Sequence, residues 1–210
     1  MTSTKTYSKN HWENIYSSKP VEELGWYEPE LQISLSWITG LQPDKHTSII
    51  DIGGGASTLV DSLLKEGLEN LTVLDISEEA LDKTKSRLGD KAEKVDWIAG
   101  DMTTAELPAD SYYIWHDRAV FHFLTSEEER EKYLTNLRRA LQPGGKVIMA
   151  TFAPEAPAKC SGLPVERYTP ETIQETLGEE FNPEQTLKDL HVTPSGVEQM
   201  YLYTRFTYNP

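Results

Sequence analysis

The sequence predicts an α/β fold: a doubly wound, mostly parallel sheet that ends in an antiparallel hairpin, with helices on both faces. Three observations carry this reading. Short apolar runs alternate along the chain with amphipathic stretches. The runs are near-continuously apolar, the pattern of strands buried on both faces. The tail, "TLKDLHVTPSGVEQMYLYTRFTY", reads as two long strands joined at Pro-Ser-Gly, a β-hairpin.

Taken in order, residues 10–40 are aromatic-rich and read as helical, ahead of the first strand. "SIIDI" (48–52), "LTVLDI" (71–76), "KVDWIA" (94–99), "SYYIWH" (111–116) and "KVIMATF" (146–152) read as five strands. Each is short, bounded by turn residues and rich in β-branched or aromatic side chains. Between them, "STLVDSLLKEG", "SEEALDKTKSRLG" and "TSEEEREKYLTNLRRAL" have helical spacing. Ser77 and Thr125 or Ser126 fit N-caps with acids in the following turn, and Gly67 and Gly89 fit C-caps. Residues 154–183 carry several prolines and read as a loop with one short helix, "PETIQETLG". The expectation is one domain: an N-terminal helical lid over 1–45, a cofactor-binding core over 46–153, and a substrate loop with the hairpin over 154–210.

Composition narrows the function. The chain has 210 residues and a formal net charge of −14. Binding to a phosphate backbone needs a basic footprint, so a small molecule or a basic protein is the easier partner. No apolar segment approaches the roughly 18 residues that cross a bilayer. The N-terminus lacks an apolar signal core, and the one cysteine, Cys160, excludes an internal disulfide framework. No Cys/His spacing resembles a zinc site. A cytoplasmic setting without metal is expected. Oligomeric state is not readable.

The stretch "SIIDIGGGASTLVDSLL" (48–64) holds the chemistry. In an open parallel sheet the ligand sits beyond the strand C-termini, where strand order reverses. Gly53 and Gly55 let backbone approach a ligand and adopt positive φ. About twenty residues on, Asp75 ends the second strand, where an acid can accept both ribose hydroxyls of an adenosine. A nicotinamide cofactor would fit that much. The dinucleotide fingerprint, however, wants a third small residue where this chain has Thr58. Asp51, just before the glycines, would repel a pyrophosphate and suit a cationic ligand. An adenosine joined to an amino acid through a sulfonium is such a ligand.

"IIDIGGG", "LTVLDIS", "GDM" and "LQPGGKVIMATF", in that order, resemble class I S-adenosylmethionine-dependent methyltransferases, whose sheet is Rossmann-like and seven-stranded. By motif the resemblance covers roughly residues 45–155. It implies S-adenosyl-L-methionine as cofactor. Asp51, Gly53 and Gly55 would then face its methionine part. Asp75 would hold the ribose and Ile76 would stack on adenine. Asp101 would accept from the adenine amino group, with Met102 beside it. "LQPGGK" would be a structural turn into strand five. The entry segment "HWENIY…GWYEP" resembles that of a subgroup that includes eukaryotic protein-lysine methyltransferases and many bacterial relatives. In such a segment Tyr16 and Trp26 would close over the cofactor.

A general base is needed only where the acceptor must lose a proton. In "IWHDRAVFHFL" (114–124), expected to leave strand four and open a helix, His116, Asp117 and His122 are the candidates. His116 would also border the cofactor. Asp117 with Arg118 can equally be a local ion pair, and His122 a packed helix residue. The chain lacks the Asn/Asp-Pro-Pro-aromatic motif of base-amine methyltransferases in this region, having His116–Asp117–Arg118–Ala119. The expected reaction is therefore methyl transfer to N, O or S of a small molecule. The alternatives are a protein lysine or a non-catalytic S-adenosylmethionine-binding protein. No Tyr-x-x-x-Lys pair supports a short-chain oxidoreductase. "GGKV" lacks the rest of a nucleotide-triphosphate loop. Ala56–Ser57 replaces the Gly-Asp-Gly expected after the glycines of a polyamine synthase.

Overall fold

The structure, a computed structural model, describes residues 7–210. Residues 1–6 of the expected N-terminal segment lie outside the described residues. Two helices come first, α1 (Lys9–Ser18) and α2 (Gln32–Thr39). Then β1 (Ile49–Ile52), β2 (Leu71–Asp75), β3 (Val95–Ala99), β4 (Tyr112–Arg118) and β5 (Leu141–Phe152) alternate with α3 (Leu59–Lys65), α4 (Glu78–Leu88) and α5 (Glu127–Ala140). No helix lies between β3 and β4. A two-stranded ribbon, β6 (Lys159–Cys160) with β7 (Leu163–Pro164), and α6 (Pro170–Leu177) precede the hairpin of β8 (Phe181–Val192) and β9 (Glu198–Tyr208).

The main sheet has seven strands in the order β3-β2-β1-β4-β5-β9-β8. The first five are mutually parallel, and β9 runs antiparallel between β5 and β8. From β1 the chain builds outward to β2 and β3, then returns to place β4 on the other side. That reversal opens a crevice beyond the ends of β1 and β4. Crossovers between parallel strands are right-handed as a rule, which puts the helices on opposite faces on either side of such a reversal.

Local chemistry explains the element ends. The Ser77 hydroxyl accepts from Ala80 N at 3.1 Å and caps α4. Ser126 and Glu129 form a reciprocal capping box at the start of α5. Gly89 ends α4 with φ +57°, a conformation that costs little without a Cβ. "LQPGGK" does not end before the strand: Leu141 already pairs with Tyr112, and the register shifts before Lys146 meets Ile114. The core is the sheet itself. Every residue of β1 and β2 is buried, and so are Val147 to Phe152 of β5. Each fully buried Ile or Phe among them contributes roughly 1.5–3 kcal/mol.

Two readings need correction. β4 continues past His116 to Arg118, because Asp117 pairs with Met149 and Arg118 with Ala150. Asp117 and Arg118 are therefore strand residues, as His116 was expected to be. The stretch after them forms a single 3-10 turn at Phe121–Phe123, and α5 opens only at Glu127.

Candidate active site

The loop after β1 passes through a gap that side chains would close. Gly53 has φ +70°, and a Cβ there would run into the Val120 side chain. A Cβ on Gly54 would strike the Asp51 carboxylate, and one on Gly55 would lie 2.6 Å from Asp75 Oδ2. The glycines thus let the loop thread between two acids and the segment after β4. Gly53 N donates to Leu74 O at 2.7 Å, which ties the loop to β2.

Asp75 is buried, and its carboxylate accepts from Gly55 N at 3.0 Å and Ser77 N at 2.8 Å. Burial raises its pKa to about 6 despite those two bonds. Asp51 stands beside His116 in register. Its Oδ1 lies 2.6 Å from His116 Nδ1, while the other ring nitrogen meets Ser34 Oγ at 2.8 Å. Asp51 Oδ2 is buried with no hydrogen-bond partner in the protein. After β3, Asp101 accepts from Thr103 N and Thr103 Oγ1 at 2.8 and 2.7 Å, and from the Tyr7 hydroxyl at 3.3 Å.

These groups surround a pocket that opens to solvent. Asp75, Ile76, Asp101 and Met102 wall one end, and Gly53 lies at its floor. Trp26, Arg118, Phe123 and Cys160 wall the other. Trp12 and Tyr16 from α1 lie over it. Trp12, Tyr16 and Trp26 pack on one another with ring centroids 5.6–6.4 Å apart. α1 is anchored at the sheet end by Glu13, whose carboxylate accepts from Glu78 N (2.9 Å), Ser77 Oγ (3.0 Å) and Glu79 N (3.2 Å) at the start of α4. Asp51 and His116 lie in an adjoining crevice on the other side of the glycines.

Of the residues singled out from sequence, Tyr16, Trp26, Gly53, Asp75, Ile76, Asp101 and Met102 line the main pocket together. Gly55 reaches it through its bond to Asp75. His116 does not line the main pocket, and both of its ring nitrogens are engaged. Asp117 lies beneath the pocket floor. It accepts from Tyr133 Oη at 2.6 Å and from Val120 N at 2.9 Å, and burial lifts its pKa to about 6. His122 points into the core, between Phe123 and Phe152, with neither ring nitrogen hydrogen-bonded. Burial, with the Arg118 charge nearby, lowers its pKa to about 3. A base needs a nitrogen within reach of the reacting proton, so the core position of His122 does not fit that role.

A family model described as a methyltransferase domain matches residues 49–145. Residues 49–145 thus match a methyltransferase domain. The bovine (Bos taurus) eEF1A lysine and N-terminal methyltransferase is 25% identical over 152 residues, covering 70% of this chain and 22% of that one. The chain thus spans about a fifth of the length of that relative. A structure from work on the conversion of a disulfide bond into a thioacetal group during echinomycin biosynthesis aligns at TM-score 0.77 with 14% identity, over 97% of this chain and 94% of that one. The Burkholderia thailandensis 1,6-didemethyltoxoflavin-N1-methyltransferase, solved with 1,6-didemethyltoxoflavin and S-adenosylhomocysteine, aligns at TM-score 0.67 with 16% identity, over 97% and 84%. At these identities the two structures share the domain's fold.

Sequence reasoning missed Tyr7, Trp12, Thr103, Tyr133 and Cys160 in the pocket wall of this methyltransferase domain. It also missed what holds Arg118. The guanidinium donates to Trp26 O (2.9 Å), Tyr203 Oη (3.1 Å) and the Glu28 carboxylate. It also lies 4.5 Å above the Tyr201 ring. His191, near the end of β8, contacts Glu28 at 3.3 Å and Gly25 O at 2.8 Å. Burial pushes the Glu28 carboxyl up, but His191 and Arg118 together hold it below its ordinary value. No helix among the described residues is long and apolar enough to cross a membrane.

Proposed function

We propose that the chain transfers a methyl group from S-adenosylmethionine to a nitrogen, oxygen or sulfur atom of a small molecule. The observation that carries this is the pairing of two carboxylates, Asp75 and Asp101, in one pocket with the aromatic rings of Trp12, Tyr16 and Trp26. Asp75 accepts from the ribose hydroxyls, and its remaining lone pairs suffice beside the two backbone bonds. Asp101 accepts from the adenine amino group. Ile76 and Met102 take the flat faces of the base. The buried, unpartnered Asp51 Oδ2 fits the donor's ammonium group, since a buried carboxylate oxygen without a donor is costly. Gly53 and Gly55 let backbone approach the chain between them. Bound there, S-adenosylmethionine supplies a methyl group on a positively charged sulfur.

The protein's own work is positioning and exclusion of water. Tyr16, Trp26 and Trp12 cover the pocket. His116, held by Ser34, keeps Asp51 oriented. Asp117 fixes Tyr133 in the wall. No residue is assigned as a general base.

A protein acceptor is the second reading, favoured by the names of the curated relatives. Incubation of the protein with methyl-labelled S-adenosylmethionine and cell extract, followed by size separation, distinguishes them. Label in the small-molecule fraction supports the proposal. Label in protein supports the second reading. Tight donor binding with label in neither supports a binding protein without transfer.

A further inference from the structure

Within the reading above, the donor occupies the end of the pocket near Asp75 and Asp101, and the other end is left for the acceptor. The chemistry of that end differs. Among the described residues that line the pocket, the acids are Asp75 and Asp101, both at the donor end. Arg118 is the Lys or Arg in that lining, and it stands at the far end with its side chain only 6% exposed. Three of its contacts use three N–H groups, to Trp26 O, Tyr203 Oη and Glu28. A guanidinium has five. Glu28, the acid beside it, is itself held between Arg118 and His191. Beneath Arg118 lies the Tyr201 ring, whose hydroxyl is buried with no hydrogen-bond partner. Cys160 adds a buried, protonated thiol, its pKa pushed up to about 11 by burial.

Aromatic rings can receive a cation when they surround it. Here Trp12, Tyr16 and Trp26 instead meet edge-to-face or tilted against one another, and Trp12 meets Phe123 the same way at 5.1 Å. Packed against one another, they add apolar wall to the pocket. An alkylammonium at this end would face Arg118 with no carboxylate free to offset it, and in a water-poor site that repulsion is large. A flat ring carrying a hydrogen-bond-accepting oxygen has the opposite fit, because aromatic side chains and the Arg118 guanidinium donor line the same pocket.

We propose that the end of the pocket walled by Trp26, Arg118, Phe123 and Cys160 is the acceptor subsite, and that it takes a flat ring bearing a hydrogen-bond-accepting oxygen rather than an alkylammonium group. This rests on the donor assignment made above. Arg118 is then the specificity-determining residue.

The test titrates three probes of similar size into protein saturated with S-adenosylhomocysteine: 2-hydroxybenzoate, benzamide and benzylamine. The two oxygen-bearing probes bind and compete with each other, and benzylamine binds at least tenfold more weakly. Arg118→Gln weakens both oxygen probes at least tenfold. Arg118→Lys, which keeps the charge but not the planar fork, falls between. If Arg118→Gln does not fold, the ranking of the three probes on the unaltered protein still decides. Benzylamine binding as tightly as the others overturns the proposal and favours a lysine acceptor. So does indifference of the oxygen probes to both substitutions, or failure of all three probes to bind. Failure of S-adenosylhomocysteine itself to bind is a separate result. It refutes the donor assignment, and the subsite is then judged from the same titrations on the free protein.

Discussion

Asp75 makes the donor's affinity depend on pH in a direction the structure fixes. Its carboxyl is buried, and burial raises its pKa from 3.8 to about 6. Two hydroxyl donors require the ionised form. Below about pH 6 the site must therefore release a proton to bind, and affinity falls by about tenfold for each pH unit. Roughly a tenfold loss is expected between about pH 7.5 and pH 5. The stability linkage has the opposite sign. The folded pKa lies above the unfolded one, so this group's contribution is fully present below about pH 4 and is lost as pH rises through about 6. At 1.4 kcal/mol per unit that swing is about 3 kcal/mol. Donor binding and fold stability thus move in opposite directions across the same window, which separates a binding effect from partial unfolding. The assay is calorimetric titration of S-adenosylhomocysteine across this range in two buffers of different ionisation heat, with thermal melts alongside. Asp75→Asn weakens binding at neutral pH by roughly 1–3 kcal/mol and removes the pH dependence. Equal affinity at both ends of the range, or an unchanged pH profile in Asp75→Asn, refutes the ribose assignment.

Three further outcomes follow. His122→Leu removes two buried, unpartnered ring nitrogens; the melting temperature stays equal or rises, and S-adenosylhomocysteine affinity does not change, whereas loss of transfer activity alone would restore a catalytic role for this side chain. Glu13→Ala strips three hydrogen bonds from the start of α4, which costs about 1 kcal/mol of stability and speeds dissociation of S-adenosylhomocysteine in stopped-flow measurements; an unchanged off-rate shows that α1 does not retain the donor. Gly55→Ala places a Cβ 2.6 Å from Asp75 Oδ2 and 2.7 Å from the buried Ala80 Cβ, so it weakens donor binding more than tenfold and lowers the melting temperature, and wild-type affinity in that variant contradicts the close packing around Asp75.

The parts of the site that were legible in the sequence are those whose signal is local. Three glycines after an apolar run fix a tight loop. An acid at the end of each of the next two strands falls beside it because parallel strands align their C-termini. Asp75 needed only that rule, whereas Asp101 was implied by the family resemblance of "GDM". Asp117 and Arg118 were left outside strand four because the end of β4 is decided by its partner: β5 continues, so β4 continues with it, and no residue in "IWHDR" records this. His122 reads from sequence as a titratable group beside the site, and only its packing between Phe123 and Phe152 shows that its nitrogens face the core. The arrangement of Arg118, Glu28 and His191 joins positions 90 and 163 residues from Glu28 and has no sequence pattern. β8 extends to Phe181, earlier than its apolar residues suggest, because Asn182 to Lys188 lie exposed and pair through backbone to β9. The ribbon that carries Cys160 has two residues per strand, too few for any periodicity to register.

The central claim is that this pocket is built for a phosphate-free adenosyl sulfonium. The most direct measurement is a side-by-side calorimetric titration of the purified protein with S-adenosylmethionine, S-adenosylhomocysteine and NAD. One-to-one binding of both sulfur compounds with no heat from NAD is the predicted result. Binding of NAD in their place would mean that the acids around the glycine loop tolerate a pyrophosphate, and the donor assignment would fall.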